Sequence, residues 1–189
     1  MHAIEAIQRR TSVRRFRPDP VPRDTIAQLL ACAVRAPNHK LTEPWRFAVL
    51  TGGAVTKLAE LRARHRLKRY TDPGSDEAQA GADKVRRETA ATPAFIVVMC
   101  AQHPDELTRE EDYAAAMMAT ANLITASESL GLGTYLKTGG IMRDPELGSL
   151  AGLEPGFRIV AVVSLGYPDA SEQPRRRRPV EEVTRWVDS

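Results

Sequence analysis

The sequence predicts an α+β fold in which a small mixed sheet is flanked by helices. Strand-like runs are separated by helical patterns and by long gaps rather than by a regular β-α repeat. The 189 residues are 42% hydrophobic and 27% charged, which is typical of a globular protein and excludes wholesale disorder. We therefore predict a single domain over residues 1–189. The predicted strands are Trp45–Thr51, Ala94–Ala101, Gly133–Lys137 and Phe157–Leu165.

The helices of the first half follow from apolar spacing and from the proline-rich passage that interrupts it. Pro18, Pro20 and Pro22 exclude a helix interior, so an extended loop follows the first helix. A second break lies at residues 36–40, between an apolar helix and the first strand. The predicted helices are His2–Arg10, Arg23–Arg35, Ala54–Tyr70 and Asp76–Ala91.

The second half contains the longest predicted helix, Glu110–Leu130. Acidic residues lie in its first turn and Gly131 is placed to end it. Residues 114–121 are small almost all round, which is typical of a central buried helix or of a close helix–helix seam. We also predict helices at Met142–Leu150 and Val180–Val187.

Charge and cysteine usage exclude several classes of protein. The chain has 27 basic and 24 acidic residues, a balance of +3 that argues against a dedicated nucleic-acid binder. No run predicts a signal peptide or a membrane span, so we expect a cytoplasmic protein without membrane contact. Cys32 and Cys100 are expected to be reduced core residues, and the four scattered histidines predict no metal site.

Two arginine-rich segments are candidate anion sites. In an extended chain Arg10, Ser12 and Arg14 fall on one side and would cradle a phosphate, although a solvated basic patch at a helix end is the alternative. The run at residues 175–178 is either solvated, a nucleic-acid-contacting tail, or a set of alternate arginines that closes on an anion.

Two loops could also carry function. His39, in the loop after Arg35, could donate to a ligand oxygen or be merely exposed, and no nucleophile arrangement accompanies it. The glycines of residues 131–140 precede a strand rather than the helix that a dinucleotide or P-loop fingerprint needs, so as a phosphate loop their signal is weak. They instead permit the close approach of a flat ligand or of another backbone segment.

Six segments occur in an order that resembles the nitroreductase family of flavoenzymes. They cover nearly the whole chain, and its compact length together with the RAPNHK loop is most similar to the small single-domain branch with bacterial members. The segments are RRTSVRRF (9–16), RAPNHK (35–40), PWRFAVL (44–50), GLGTYLKTGG (131–140), SLGYP (164–168) and RRRRPVEEV (175–183).

The resemblance implies a nitroreductase-like three-layer fold and a homodimer with FMN at the subunit interface. The opening motif would hold the FMN phosphate and reach the pyrimidine edge, and the helix–loop residues would come from the partner subunit. The segment after the long helix would lie against the flavin, and alternate arginines near the end would complete the phosphate site. The implied FMN-binding residues are Arg10, Thr11, Ser12, Arg14, Arg35, His39, Leu136, Lys137, Thr138, Arg175 and Arg177.

The implied activity is a two-step hydride transfer through flavin N5, from NAD(P)H and then to a nitroaromatic, a quinone or a related flat acceptor. A cation near flavin N1 and O2 would stabilise the reduced cofactor, with Arg14 as the first candidate and Lys137 as the second. No side-chain acid or base is needed, so no catalytic residue is predicted. The same fold could serve dehalogenation, reduction of activated double bonds or flavin cleavage, and a non-enzymatic polyanion binder is the rival from another class.

One departure from larger nitroreductases affects substrate choice. Residues 63–81 contain no Asn-and-Lys arrangement of the kind that contacts flavin there. This region is also where the substrate lid varies, so the acceptor and the choice between NADH and NADPH stay open.

Overall fold

The computed structural model describes residues 2–170 and 176–187, and a four-stranded sheet forms its centre. The strands are β1 (Trp45–Thr51), β2 (Ala94–Ala101), β3 (Gly133–Lys137) and β4 (Phe157–Gly166), in the order β1-β2-β4-β3. The sheet is antiparallel in all three pairings, which differs from the mixed sheet expected from the sequence. Because β4 inserts between β2 and β3, those two strands run in the same direction without pairing.

The described residues form six α-helices, which lie on both sides of the sheet and complete the three layers that the resemblance implies. One core packs Leu29 and Leu123 against Ile96 of β2, and the other packs Leu58 and Leu147 against Phe95 of the same strand. β2 is therefore apolar on both faces, as predicted. The helices are α1 (Ala3–Arg9), α2 (Arg23–Ala33), α3 (Gly53–Leu67), α4 (Asp76–Ala90), α5 (Glu106–Ser129) and α6 (Pro145–Ala151).

Helix α5 begins four residues before the predicted start. The Asp105 side chain accepts a hydrogen bond from the Thr108 backbone N–H at 2.8 Å and so caps the first turn. In the part of the chain that the structure describes, no helix is long and apolar enough to cross a membrane.

Two further expectations are wrong. The predicted helix Val180–Val187 is only a 3-10 turn at Val180–Glu182 followed by irregular chain, because its apolar side chains are exposed within the described structure and so short a helix is not stable alone. Cys32 is exposed rather than buried, since α2 turns that face away from the sheet. Cys100 is buried as expected, and burial raises the pKa of its thiol to about 11.

Candidate functional site

The segment Ser12–Arg17 runs along the free edge of β3. The Val13 N–H donates to the Thr134 carbonyl at 2.9 Å, and the Arg17 N–H donates to the Tyr167 carbonyl at the same distance. Val13 is buried whereas Ser12 and Arg14 are exposed, as the two-residue period predicts. The sheet edge therefore presents the hydroxyl and the guanidinium outward.

Two glycines paired across β3 and β4 allow this close approach. A Cβ on Gly133 would lie 2.6 Å from Val13 Cγ2, and one on Gly166 would lie 3.0 Å from Phe16 Cδ1. Either substitution would push the segment off the sheet. Gly133 thus serves the approach of another backbone segment, one of the two alternatives that its sequence context allowed.

A cluster of cations surrounds Tyr135 beside this segment. Lys137 Nζ lies 5.1 Å and Arg14 Cζ lies 5.7 Å from the centroid of the Tyr135 ring. Both cations line a cavity of about 550 Å³ together with Arg62. The cavity's one carboxylate among the described residues, Glu88, is 4.0 Å from Lys84, another lining residue. We call this the β3-edge cavity.

Two cations of this cavity, Lys137 and Arg62, are destabilised in their charged forms. The pKa of Lys137 is lowered to about 7, chiefly by burial and further by Arg62 and Arg14, while Glu88 opposes the shift. Burial also lowers the pKa of Arg62. An anion in the β3-edge cavity would relieve both penalties.

A buried hydroxyl lines the same cavity. Ser164 Oγ on β4 has no hydrogen-bond partner within the described residues, and no other buried side-chain polar atom among them lacks one. Such an orphaned group is the mark of a missing partner. Cations and a free hydroxyl around one cavity fit a bound group that carries a negative charge and hydrogen-bonding atoms.

Arg62 is the member of this cluster that sequence reasoning missed. Its guanidinium donates to Thr89 Oγ1 at 2.8 Å, on the neighbouring helix α4. The sequence contained a usable signal, since Arg62 lies four residues after the buried Leu58 and so shares its helix face. A cationic side chain on the apolar face of a helix is rare unless it is paired or functional.

A second cavity of about 670 Å³ lies along the C-terminal half of α3 and opens onto the segment after β3. Leu136, Lys137 and Thr138 line it, which places all three members of that predicted flavin segment at one cavity. Arg62 and Tyr135 line both cavities, so the two adjoin. We call this the α3 cavity.

The loop that carries His39 is held against the N-terminal part of α5. His39 Nδ1 lies 2.8 Å from Glu111 Oε2, and Thr42 Oγ1 donates to the buried Asp112. Lys40 and two neighbours have φ values between 44° and 57°, a left-handed conformation that costs non-glycine residues of order 1 kcal/mol or more each. The structure therefore holds a strained loop in place, with His39 at its surface.

The structure keeps the opening motif and the His39 loop apart within one chain. Arg9, beside the half-buried Arg10 and Thr11, has its Nε 3.9 Å from Glu128 near the end of α5. Glu111, the neighbour of His39, precedes Glu128 by 17 positions on the same helix. At 1.5 Å per residue the two points are roughly 25 Å apart.

The remaining predicted site residues are Arg35, Arg175 and Arg177. Arg35 is exposed at the end of α2, and its backbone N–H donates to the Cys32 carbonyl. Arg177 is exposed in the tail, and Arg175 lies outside the described residues. These arginines therefore join no other predicted site residue in the described chain.

Comparison with known proteins gives a consistent picture. The sequence profile of the Nitroreductase family matches residues 7–167. YfhC of Bacillus subtilis (strain 168), named as an NAD(P)H nitroreductase, is 32% identical over 94% of this chain and 90% of its own. The crystal structure of a nitroreductase-like family protein from Bacillus cereus superposes with a TM-score of 0.83 at 30% identity, covering 100% of this chain and 97% of that one.

Flavoproteins are among the structural neighbours. A point mutant of the FMN- and NADPH-dependent nitroreductase NfnB from Sphigopyxis sp. strain HMH has a TM-score of 0.79 at 20% identity, covering 98% of this chain and 99% of its own. At that identity the likeness shows the fold alone.

Proposed function

The chain belongs to the nitroreductase family of NAD(P)H oxidoreductases, and from that premise we propose that it is a cytoplasmic FMN enzyme, a homodimer of single-domain subunits over residues 1–189. It reduces nitroaromatics, quinones or related flat acceptors. The observation that carries the proposal is the β3-edge cavity, where the half-buried Arg62 and Lys137 and the orphaned Ser164 hydroxyl lie at the segment that matches the family's flavin contact.

The residues of the β3 edge would hold FMN by charge and by hydrogen bonds. Arg10, Thr11 and Ser12 bind the phosphate, and the tail residues Arg175 and Arg177 complete that site. Each charge-assisted hydrogen bond contributes about 1.5–3 kcal/mol, so a few arginine forks retain the cofactor without a covalent bond.

The flavin ring would lie against Leu136, Lys137 and Thr138, which follow one another at the end of β3. Arg14 and Lys137 place positive charge beside its pyrimidine edge. Bound FMN supplies the redox chemistry, and the side chains orient it and stabilise negative charge on it. No side chain of this chain is required to act as an acid or base.

The partner subunit would supply Arg35 and His39. Support comes from the length of α5, which holds His39 roughly 25 Å from the opening motif of its own chain. Exposed apolar side chains give the dimer its surface: Ile4 and Ile7 of α1 are 71% and 63% exposed, and Trp186 of the tail is 81% exposed. Two sites at one symmetric interface follow from two copies.

The visible absorption spectrum of the purified protein, recorded before and after anaerobic addition of NADPH or NADH, tests this function. We expect a bound yellow flavin that either or both nucleotides bleach, followed by recovery of the colour when a quinone is added. A colourless protein that fails to take up added FMN would overturn the proposal and return the arginines to solvent or to polyanion binding.

A further inference from the structure

Basic side chains dominate the lining of the α3 cavity. Six cationic or potentially cationic side chains line it, and among the described residues no carboxylate does. Most of them come from the last two turns of α3 and the residues just after it, where positive charge also favours the helix dipole. They are Arg62, His65, Arg66, Lys68, Arg69 and Lys137.

Two of these groups already have a carboxylate partner. His65 Nε2 hydrogen-bonds to Asp144 Oδ2, and Lys68 Nζ lies 3.9 Å from the same carboxylate oxygen. The hydrogen bond from His65 is the main reason that the pKa of Asp144 is lowered. Arg62, Arg66 and Arg69 have no ion pair with a described carboxylate within 4.0 Å, so their charge is available to a ligand.

Arg66 is held in position by an aromatic ring rather than by a carboxylate. Its Cζ lies 5.1 Å from the Tyr70 ring centroid and its Nη2 donates to the Tyr70 hydroxyl at 3.0 Å. A Cβ on Gly81 of α4 would collide with that hydroxyl, so the glycine makes room for the pair. A cation stacked on a ring keeps donors free for an anion.

Arg64 on the same helix is the contrast. Its guanidinium is paired with Glu146 of α6, and it does not line the α3 cavity. On α3, Arg64 is therefore paired with a carboxylate, whereas Arg66, two residues further along, has no ion pair with any described carboxylate. General basicity of α3 does not explain that difference.

We propose that the α3 cavity binds the 2′-phosphate of NADPH, with Arg66 and Arg69 as its principal ligands, so that NADPH is preferred to NADH as electron donor. The inference rests on the proposed function. A phosphate monoester matches planar guanidinium forks, and these are what distinguish the two nucleotides. Arg66 lies four residues beyond Arg62, about 6 Å along the α3 axis, and Arg69 follows the end of the helix, which separates the phosphate from the flavin end of the cavity.

The FMN phosphate is the other phosphate monoester that such chemistry could serve, and the test separates the two. The double variant Arg66→Ala with Arg69→Ala is compared with Arg64→Ala, which removes one arginine from the same helix outside the cavity. For each protein, rapid anaerobic mixing gives the Kd of NADPH and of NADH from flavin bleaching. Calorimetry gives the affinity for adenosine 2′,5′-bisphosphate and for 5′-AMP, and fluorescence titration gives the affinity for FMN.

We expect the double variant to bind NADPH about tenfold to a hundredfold more weakly, with NADH and FMN changed by less than about twofold. Adenosine 2′,5′-bisphosphate binding should be lost with the same variant and 5′-AMP binding unaffected. Arg64→Ala should match the wild type in every titration.

Equal affinity of the wild type for NADPH and NADH, or equal losses for both in the double variant, would overturn the inference while leaving the flavoenzyme intact. Loss of FMN affinity instead would assign the α3 cavity to the cofactor phosphate and would also overturn it. If neither nucleotide bleaches the flavin, the proposed function fails. The calorimetric titration still decides the cavity, because binding of the bisphosphate does not depend on turnover.

Discussion

Two extended, arginine-rich segments of this chain differ in what holds them. Ser12–Arg17 is bonded through its backbone to Thr134 and Tyr167, and its buried Val13 packs against the glycine at the start of β3. The C-terminal residues 176–187 are exposed throughout, and the backbone bonds recorded for them stay within their own 3-10 turn. The first segment is positioned by its own chain, and the second is positioned by nothing that the described residues include.

This difference explains why arginines of the opening segment line a cavity of their own subunit whereas those of the tail are exposed. Arg14 and Lys137 lie over the Tyr135 ring and line one cavity with Arg62, whereas Arg177 and Trp186 are exposed. Under the proposed function, one chain would supply half of the site, and the tail and the His39 loop would complete the site of a second copy.

The largest effect is expected from removing the opening arginines. The double variant Arg10→Ala with Arg14→Ala should weaken FMN binding roughly 10²–10⁴-fold, since two charge-assisted contacts contribute about 3–6 kcal/mol. Fluorescence titration of the stripped protein with FMN measures this. The control, Arg64→Ala with Arg86→Ala, also removes two arginines, both of them paired with surface carboxylates. Full FMN occupancy in the test variant would remove these arginines from the cofactor site.

Weakening the tail should affect assembly next. Val183→Ser with Trp186→Ala should raise the dimer dissociation constant at least about 100-fold, because burying each side chain is worth roughly 1.5–3 kcal/mol. Sedimentation measures it. Val49→Ser, an exposed apolar residue on the opposite edge strand β1, serves as the control. An unchanged dissociation constant would show that the tail lies outside the interface.

Replacing Lys137 should stabilise the protein without cofactor but weaken its binding of FMN. Its folded pKa of about 7 lies below the ordinary 10.5, so between these values the unfolded chain binds the extra proton and stability rises with pH. Lys137→Met should therefore raise the Tm of the stripped protein most below pH 7, and the gain should vanish by about pH 10.5. The same variant should bind FMN more weakly. A gain in Tm that did not change with pH would contradict the burial of a charged lysine.

The smallest effect is expected in the loop that carries His39. The Asn38 side chain accepts from the Glu43 N–H at 2.7 Å and donates to Thr42 at 3.0 Å. Asn38→Ala should loosen this loop at a cost of about 1 kcal/mol and weaken FMN binding about threefold to fivefold through His39. Titration with FMN checks the effect. Asn122→Ala, which removes a long 3.4 Å bond to Cys32 on α2, is the matched control.

The local sequence pattern was enough to predict those parts of the fold that depend on residues within a single segment. The unbroken apolar run of β2, the alternation of Ser12, Val13 and Arg14, and the small face of α5 all follow from residues close in sequence. The cap at Asp105 is also a local feature, but the acidic residues that follow it favour a later helix start.

Tertiary context decided the rest. Arg62 belongs to the candidate site only because the fold brings residues of α3 and β3 to one cavity, and no local pattern brings it to Lys137. The antiparallel sheet depends on β4 inserting between β2 and β3, a choice made by the whole chain. The segment Val180–Val187 is helix-like in sequence, yet its apolar side chains are exposed in the described structure, so no tertiary packing supports a helix there.

The most direct test of a site shared between two copies is the FMN content of mixed dimers. One subunit carries Arg10→Ala with Arg14→Ala, the other carries Arg35→Ala with His39→Ala, and different affinity tags isolate the mixed species. Each defective homodimer should retain little FMN, whereas the mixed dimer should hold about one FMN per two chains at wild-type affinity, because one of its two sites is intact. A mixed dimer as empty as its parents would show that each site lies within a single chain and would contradict the account.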